Sequence, residues 1–208
     1  MAEIMDVSRW QGSIDWDAVK RSGKIDGVML RVLGSKGGKP YIDPFFARNY
    51  AECTRLGLPV GGYYYTCAVT QRQTEEELAA LRAALADKNF QLPIAVDAED
   101  PKMRGLAPAK LSARVAEAAA QLEAWGLYAI VYTYTNFADT TLDMAALAAY
   151  DLWIADYRGK RPARRHGMWQ YTSSGKIPGV SGPVDLSHAY KDYAAIIQRA
   201  GLTKVRGA

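Results

Sequence analysis

Three acidic side chains lie within four positions near the end of the segment PIAVDAED, residues 93–100. Because residues two apart in an extended chain point to the same side, Asp97 and Glu99 are predicted to face one cavity together. Two carboxyl groups this close disfavour double ionisation, so one of them is expected to hold its proton to a higher pH. One proton donor beside one anion is the pair that glycoside hydrolysis requires. Asp100 has the opposite parity and precedes a proline, which predicts a turn or capping residue.

The spacing Asp-x-Glu does not by itself decide between this chemistry and two alternatives. A strand end followed by a solvated acidic turn carries the same residues without a function. A Mg²⁺ or Ca²⁺ site also uses carboxylate oxygens, which hard cations prefer. The chain has two histidines, His166 and His188, too few for a histidine-rich zinc centre. Our expectation is a site with no metal and no cofactor.

Short apolar, β-branched or aromatic runs alternate with segments of helical periodicity up to about residue 150. The strands are predicted at 3–7, 26–33, 60–66, 93–97, 128–134, 151–155, 168–171 and 184–186. The helices are predicted at 15–22, 43–57, 72–87, 110–126 and 188–200. A repeated strand–helix order indicates right-handed βαβ units. The prediction is therefore an α/β fold, a single-domain irregular β/α barrel like a TIM barrel, with about five βα units and a strand-rich end.

Local signals mark several helix ends. In TEEELAALRAALA, Thr74 is predicted to cap the helix, with Glu77 three residues later completing a capping box. Gly57, Gly126 and Gly201 fall where helices are predicted to stop, because glycine readily takes the left-handed conformation that ends many helices.

In barrels of this kind, the side chains that perform chemistry collect at the carboxyl ends of the parallel strands. The first predicted strand ends near Asp6, the fourth ends in Asp97 with Glu99 beyond it, and the short late strand carries Asp185. These four carboxyl groups are predicted to converge on one cavity. Arg31, on the second strand, is expected to compensate part of their charge.

Tyrosine pairs on two predicted strands favour a cavity that binds sugars. Tyr63 and Tyr65 share one face of GYYYT, and Tyr132 and Tyr134 share one face of IVYTYT. Aromatic rings cover the apolar faces of pyranoses, and a tyrosine hydroxyl adds a hydrogen bond. The alternative for each tyrosine is an ordinary core or interface position.

Composition narrows the class of protein further. The 208 residues are 49% apolar and 23% charged, which is typical of a soluble globular domain. The net charge of +4 favours polyanionic surroundings, and no nucleic-acid-binding motif accompanies it. Cys53 and Cys67 are too few for a disulfide framework and are expected to be buried thiols.

The N-terminus MAEIMDVSRW has neither the basic start nor the apolar stretch of a signal peptide. No apolar run is long enough to span a membrane. The expectation is a protein without membrane insertion that is made in the cytoplasm and released later, or one whose leader has been removed.

Several motifs, in order, resemble glycoside hydrolase family 25 over roughly residues 3–190. They are DVSRWQGSIDWDAVK, GLPVGGYYY, LPIAVDAED, YAIVYTYTNF, LWIADY and MWQYTSSGKIPGVSGPVDLS. The family contains muramidases (lysozymes) of the phage-lysin and bacterial autolysin type. The resemblance implies a β/α barrel that cleaves the β-1,4 bond from N-acetylmuramic acid to N-acetylglucosamine in peptidoglycan. It also implies bacterial peptidoglycan as the partner and the cell wall as the place of action, reached by phage or prophage lysis or by non-classical export.

The resemblance extends to individual residues. Glu99 matches the family's general acid, and Asp97 matches the second carboxylate. Asp6 and Asp185 match two further acids that line the cleft. Other positions that resemble substrate contacts are Arg31, Tyr63, Tyr132, Tyr134 and Gln170. The favoured hypothesis for the mechanism is retaining and substrate-assisted, with inversion as the alternative.

Two positions depart from the family pattern. Tyr64 stands where a histidine is common, and Gly62 stands where some members have a bulkier residue. Both changes are predicted to alter the cleft wall rather than the acids. A basic segment, residues 158–166, is either a solvated loop or a contact for anionic wall polymers.

Three rival functions stay open at this point. They are a glycan-binding module that keeps the cleft without turnover, a metal-dependent hydrolase, and a different glycosidase that acts on N-acetylated glycans. The intact set of four acids favours an enzyme. The domain prediction is one catalytic barrel over 1–208, with its core at about 3–200 and no separate wall-binding domain.

Overall fold

Eight strands close into a barrel in the computed structural model, which describes residues 1–36 and 38–207. In order around the barrel they are β1, β9, β8, β7, β6, β5, β4 and β2, and β1 pairs with β2 to close it. A ninth strand, β3, forms a hairpin with β2. The strands are β1 Ala2–Val7, β2 Gly27–Lys36, β3 Lys39–Ile42, β4 Val60–Tyr65, β5 Ile94–Asp97, β6 Ala129–Tyr134, β7 Asp151–Ala155, β8 Met168–Gly175 and β9 Val184–Ala189.

In chain order, a helix follows β1, the β2–β3 hairpin, β4, β5 and β6, and a sixth helix follows β9. They are α1 Trp16–Ser22, α2 Phe46–Arg55, α3 Gln71–Leu85, α4 Pro108–Ala124, α5 Thr135–Thr140 and α6 Tyr193–Ala200. Pairing is parallel from β1 through β2, β4, β5, β6 and β7 to β8, whereas β9 is antiparallel to both β8 and β1. The predicted irregular β/α barrel with five βα units and a strand-rich end is confirmed.

The differences from the predicted elements have physical causes. The hairpin strand β3 and the short helix α5 were not predicted. The C-terminal helix begins at Tyr193 rather than near residue 188, because residues 184–189 pair with strands on both sides. Residues 184–189 show only weak alternation of apolar and polar side chains, so the backbone hydrogen bonds to the two neighbouring strands are what make this segment a strand.

The predicted helix cap at Thr74 is wrong. The cap is Thr70, whose side chain accepts from the Gln73 amide while the Gln73 side chain accepts from the Thr70 amide. Thr74 and Glu77 lie buried inside the helix instead. Glu77 accepts a hydrogen bond of 2.6 Å from the Thr66 hydroxyl and so fixes the turn after β4. A tertiary contact uses the glutamate that the local pattern had assigned to a cap.

Glycine ends three helices as predicted. Gly57, Gly126 and Gly201 have φ values of 62°, 89° and 66°. Cys53 and Cys67 are both buried free thiols, which confirms that expectation. Within the described residues, no helix is at once long enough and apolar enough to cross a membrane.

The core has two layers, and together they support the edge of the barrel at which the parallel strands end. One layer lies between the strands and the surrounding helices and includes Val96, Ala98 and Val131. The other fills the barrel interior, and residues such as Met29 and Met168 form a tightly packed floor. Because interiors pack this densely, polar groups at the carboxyl ends of the strands stand on a rigid apolar base.

Candidate active site

Four carboxyl groups converge on one cavity at the carboxyl ends of the parallel strands, as predicted. Asp6 lies on β1, Asp97 ends β5, Glu99 follows two residues later and Asp185 lies on β9. The cavity has a volume of about 200 Å³. Its other lining residues are Tyr63, Tyr132, Trp153, Tyr157 and Gln170. Among the described residues, no group of three or more acidic, histidine or cysteine side chains has a geometry suited to a metal ion.

The backbone beyond β5 explains why Asp97 and Glu99 face the same side. The Ala98 amide donates to the Tyr132 carbonyl at 2.9 Å, and the Thr133 hydroxyl donates to the Ala98 carbonyl at 2.8 Å. These bonds continue the pairing with β6 past the strand end. The Ala98 side chain is therefore held in the layer beneath the helices, and its two acidic neighbours point into the cavity.

Asp185 reaches the cavity by a different route from the one predicted. It is the second residue of β9, not a residue at the carboxyl end of a parallel strand. Because β9 is antiparallel to β1, the start of β9 lies at the same edge as the end of β1, and Asp185 pairs in register with Asp6. Residues paired across an antiparallel ladder have neighbouring side chains, so the two carboxyl groups lie close together in the cavity.

Gln170 connects three groups of the cavity. Its amide nitrogen donates to Asp6 Oδ2 at 2.9 Å. Its amide oxygen accepts from the hydroxyl of Tyr132 at 2.9 Å and from that of Tyr157 at 2.6 Å. These three hydrogen bonds orient the Gln170 amide, which in turn positions the Asp6 carboxyl group. Gln170 is buried, so water does not compete for these bonds.

Burial raises the pKa of every acid in this cavity. For Glu99, burial first, then the charges of Asp185 and Asp100, raise the pKa to about 7. For Asp97, burial and then the neighbouring Glu99 and Asp6 raise the pKa well above its ordinary value, while Arg31 lowers it. The pKa of both members of the predicted pair, rather than of one, is therefore raised by burial and neighbouring charge.

Asp6 and Asp185 follow the same pattern. Burial, followed by the charge of Asp185, raises the pKa of Asp6 well above its ordinary value. The pKa of Asp185 is also raised, chiefly by burial. The four acids therefore titrate as one interacting set rather than as two independent pairs.

Arg31 compensates part of the charge of Asp97, as expected, but it does not line the cavity. Arg31 lies outside the lining of the cavity and forms an ion pair with Asp43, with Nη2 at 2.7 Å and Nε at 2.8 Å from Oδ2. Its charge lowers the pKa of Asp97 only as a secondary influence. Asp43 is buried and was missed by the sequence analysis, which placed it at the start of a helix.

The predicted tyrosines separate into two groups. Tyr63 and Tyr132 line the cavity and meet Trp153 edge-on, with ring centroids 6.1 Å and 4.6 Å apart. Tyr134 lines an adjoining part of the cleft, of about 450 Å³, which also contains Glu99. Tyr65 lines neither space, which contradicts its prediction as a sugar contact.

Tyr65 instead supports the turn that follows Glu99. Its hydroxyl donates to Asp100 Oδ2 at 3.0 Å, and the Cys67 thiol donates to the same oxygen at 2.9 Å. The other oxygen of Asp100 accepts from the Lys102 amide at 2.8 Å and caps a short 3-10 helix, Pro101–Gly105. Burial opposes ionisation, yet these hydrogen bonds leave the pKa of Asp100 below its ordinary value. The predicted capping role of Asp100 is confirmed.

The two departures from the family pattern do not touch the cleft. Tyr64 is buried in the layer beneath the helices. A Cβ on Gly62 would lie 2.8 Å from Val32 Cγ2 and 3.4 Å from Ile94 Cδ1, so Gly62 also faces outward. Alternate residues of β4 face opposite sides, which places Tyr63 in the cavity and both of these positions behind it. Their predicted effect on the cleft wall is wrong.

The sequence analysis missed Trp153 and Tyr157. Trp153 is fully buried on β7, and its indole donates to the Ser187 hydroxyl at 3.0 Å. Tyr157 follows the same strand and is 52% exposed. The rule that located Asp6 and Asp97 also applies to the carboxyl end of β7 and could have found Tyr157, whereas Trp153 lies in the middle of the strand, where that rule gives no signal.

A closed β/α barrel with buried acids and aromatic side chains at this edge has the architecture of a barrel glycosidase. The sequence profile of the glycosyl hydrolases family 25 matches residues 5–180. The chain belongs to this family and is a glycoside hydrolase.

Similar proteins extend the comparison. The chain is 31% identical over 191 residues to the uncharacterised protein YegX of Escherichia coli, covering 88% of this chain and 67% of YegX. It is 30% identical over 184 residues to the autolytic lysozyme of Clostridium acetobutylicum, covering 88% of this chain and 54% of that protein. The solved structure of the modular autolysin LytC of Streptococcus pneumoniae, in complex with a synthetic peptidoglycan ligand, superposes with a TM-score of 0.78 at 26% identity, covering 89% of this chain and 46% of LytC.

The raised pKa of Glu99 predicts a pH-dependent gain in stability for Glu99→Gln. The folded state holds this proton up to a pH of about 7, whereas the unfolded chain releases it near 4.5. The stability of the wild type therefore falls as pH rises between these values, and the variant avoids that loss. We expect Glu99→Gln to be more stable by about 1–3 kcal/mol at pH about 8, with a smaller gain below pH about 4.5.

Chemical denaturation at several pH values measures this difference. Glu123→Gln is the matched control, because Glu123 is an exposed glutamate on the outer surface, at the end of α4. A stability difference between Glu99→Gln and wild type that stays constant with pH would contradict the raised pKa.

Proposed function

We propose that the chain is a peptidoglycan muramidase that cleaves the β-1,4 bond between N-acetylmuramic acid and N-acetylglucosamine. The observation that carries the proposal is the cavity at the carboxyl ends of the parallel strands, which Glu99 lines together with three further acids. Burial and neighbouring charge raise the pKa of Glu99 to about 7 in this cavity. Family membership supports the same reaction, and the named lysozyme and autolysin relatives support the same polymer.

Glu99 is the proposed general acid and base. A pKa of about 7 leaves much of this carboxyl group protonated near neutral pH, which a donor to the glycosidic oxygen requires. Glu99 also lines both the inner cavity and the adjoining part of the cleft. It therefore stands between the buried acids and the open space that a leaving sugar needs.

Asp97 is the proposed partner of the substrate's acetamido group. Its Oδ1 atom is buried and has no hydrogen-bond partner among the described residues. An acceptor buried without a donor costs about 1–3 kcal/mol, so a substrate N–H placed there would be favoured. Positive charge that develops on the sugar beside Asp97 favours its anionic form during the reaction.

The proposed reaction is substrate-assisted and retaining. Glu99 gives its proton to the glycosidic oxygen, which leaves with the electrons of the broken bond. The acetamido carbonyl oxygen attacks the anomeric carbon and forms a cyclic oxazolinium ion whose N–H is held by Asp97. Water then attacks the anomeric carbon, gives a proton to Glu99 and opens the ring.

The remaining residues are proposed to bind and orient the sugars. Asp6, which accepts from the Gln170 amide, and its neighbour Asp185 present polar oxygens to sugar hydroxyls. Tyr63, Tyr132 and Trp153 supply aromatic surface in the same cavity. The proposed place of action is the bacterial cell wall, which the protein would reach during phage or prophage lysis.

Glu99→Gln tests the central role. We expect purified peptidoglycan treated with wild type to yield new muramic acid reducing ends, and the variant to form them at least ~10²-fold more slowly, the usual weight of a general acid. Borohydride reduction followed by mass spectrometry identifies the new ends. Glu123→Gln is the control and should match wild type.

Each alternative function has its own result in this assay. Wild type that binds the wall and forms no reducing ends would indicate a glycan-binding module. New glucosamine ends would indicate another glycosidase for N-acetylated glycans. Near-normal activity of Glu99→Gln would remove Glu99 from the proposed role.

The stereochemistry of the first product tests the proposed mechanism. The substrate-assisted route retains the configuration, so we expect the β anomer to appear first in NMR spectra recorded before mutarotation. The alternative is inversion, in which Asp6 or Asp185 activates water. An α anomer at first turnover would favour that route.

The basic segment 158–166 supports a weaker, additional contact with anionic wall polymers. Two of its arginines are already paired, Arg158 with Asp156 and Arg164 with Asp139. Lys160 is exposed at the tip of the loop that joins β7 to β8. The segment begins at the cleft, where Arg158 lines the wall, and then runs down the outside of the barrel. Pairing reduces its charge, so the contact is proposed as electrostatic and weak.

Salt and charge removal test this contact. We expect the double variant Lys160→Gln/Arg165→Gln to bind less to walls that carry anionic polymer, and the difference to disappear after the polymer is extracted. Binding should also weaken between about 0.05 M and about 0.5 M salt. Sedimentation with walls measures binding, with Glu99→Gln as the background to prevent digestion. Binding that is unchanged by salt would contradict an electrostatic contact.

A further inference from the structure

Arg9 and Trp10 directly follow β1, which carries Asp6, and so lie at the rim of the cleft, where they have no role in the reaction described above. Among the described residues, the exposed large hydrophobic side chains are Met1, Trp10, Ile42 and Tyr157. Trp10 and Tyr157 follow β1 and β7, and Ile42 is the last residue of β3. Trp10 is the most exposed of these three.

The backbone that presents Trp10 is rigid. Arg9–Gln11 form a short 3-10 helix directly after β1. Ser8 and Gln11 close a capping box, with the Ser8 amide donating to Gln11 Oε1 at 2.9 Å. The side chain of Gln11 also donates to the Pro183 carbonyl at 3.3 Å. Pro183 lies two residues before Asp185, so this turn is fastened beside the acids of the cavity.

Trp10 is nevertheless 74% exposed on this fixed turn. The guanidinium of Arg9 lies 4.8 Å from the centre of the Trp10 ring and 5.2 Å from that of Tyr41. The Tyr41 ring is itself held against β2, where Gly34 leaves room for it. Two aromatic rings therefore hold the guanidinium in place at the rim, which reduces the entropy lost when it binds an anion.

Arg9 has no carboxylate partner within the part of the chain that the structure describes. The nearby Asp43 accepts a hydrogen bond from the Arg9 backbone amide, but its side chain is paired with Arg31. A positioned guanidinium without a counter-ion, next to an exposed indole, matches a ligand that combines a carboxylate with apolar groups.

We propose that Arg9 and Trp10 form a rim subsite that binds the carboxylate-bearing arm on O3 of a muramic acid residue. Arg9 pairs with the carboxylate, and Trp10 covers the apolar carbons of the arm. The proposal rests on the proposed muramidase function and extends it, because it names a contact that an unsubstituted glucosamine ring cannot make. The carboxylate has two sources: the stem peptide, or the lactyl group itself where the peptide has been removed.

Kinetics on three soluble glycans test the subsite. The first carries stem peptides, the second has been stripped by an amidase and exposes lactyl carboxylates, and the third is the stripped glycan with those carboxylates converted to neutral amides. We expect Arg9→Gln to raise KM about threefold to tenfold on a carboxylate-bearing glycan, with kcat unchanged and no effect on the neutral glycan. A loss confined to the first glycan identifies the stem peptide, and a loss on the second identifies the lactyl group.

Further variants separate binding from folding. Every variant at residue 9 keeps the amide that bonds to Asp43, so the turn is retained. Arg9→Lys should recover part of the loss, because it keeps the charge without the planar group. Trp10→Ala should raise KM as well. Arg82→Gln is the matched control, since Arg82 lies on α3 with its guanidinium 5.9 Å from the Trp125 ring.

The outcomes distinguish this proposal from the one on which it rests. An equal rise in KM on all three glycans, or no rise on any of them, would overturn the subsite while leaving the muramidase in place. A wild-type protein that cleaves none of the three would overturn the muramidase function and the subsite with it.

Discussion

The removal of four neighbouring carboxyl groups from water is the constraint on which this structure depends. Burying one ionised carboxylate in an apolar interior costs several kcal/mol, and mutual repulsion adds to the cost when acids share a cavity. Burial is the largest cause of the raised pKa of Asp6, Asp97, Glu99 and Asp185 alike. The fold offsets part of this cost locally, through the Gln170 amide that donates to Asp6. The remainder has to come from the packed core, whose apolar floor holds the acids in place.

Barrel closure determines which acids meet. Seven parallel strands would bring together only side chains at their carboxyl ends, but β9 returns in the opposite direction between β8 and β1. Its antiparallel pairing brings the start of a strand, with Asp185, into register with Asp6 near the end of another. The strand-rich end of the chain is therefore part of the site. The connection from β7 to β8 adds Tyr157 and Arg158 to the wall of the cleft before it runs down the outside of the barrel.

Sequence patterns predicted those features that depend on local geometry. Strand alternation located Asp97, Glu99, Tyr63 and Tyr132, because two-residue periodicity survives as long as the strand pairs with its neighbour. Prediction failed where a residue distant in sequence determines the position of a side chain. Tyr65 lies where β4 ends, and hydrogen bonding to Asp100 places it beside the turn. Glu77 accepts a hydrogen bond from Thr66, so the cap argument failed, and Arg31 pairs with Asp43 outside the lining of the cavity. The first residues of the predicted last helix became a strand because two neighbouring strands were available to pair with them.

Depth within the cleft distinguishes the proposed roles of Asp97 and Glu99. Asp97 is 3% exposed and lines only the inner cavity, whereas Glu99 is partly exposed and borders the adjoining space as well. A group that gives and takes a proton has to reach both the leaving oxygen and the attacking water, which the outer position allows. A group that holds the acetamido N–H through the reaction benefits from the inner position, where a hydrogen bond is stronger because water is excluded. The two-residue spacing of DAE therefore places one carboxyl group at each depth, and the hydrogen bonds of Asp100 keep the segment from shifting between them.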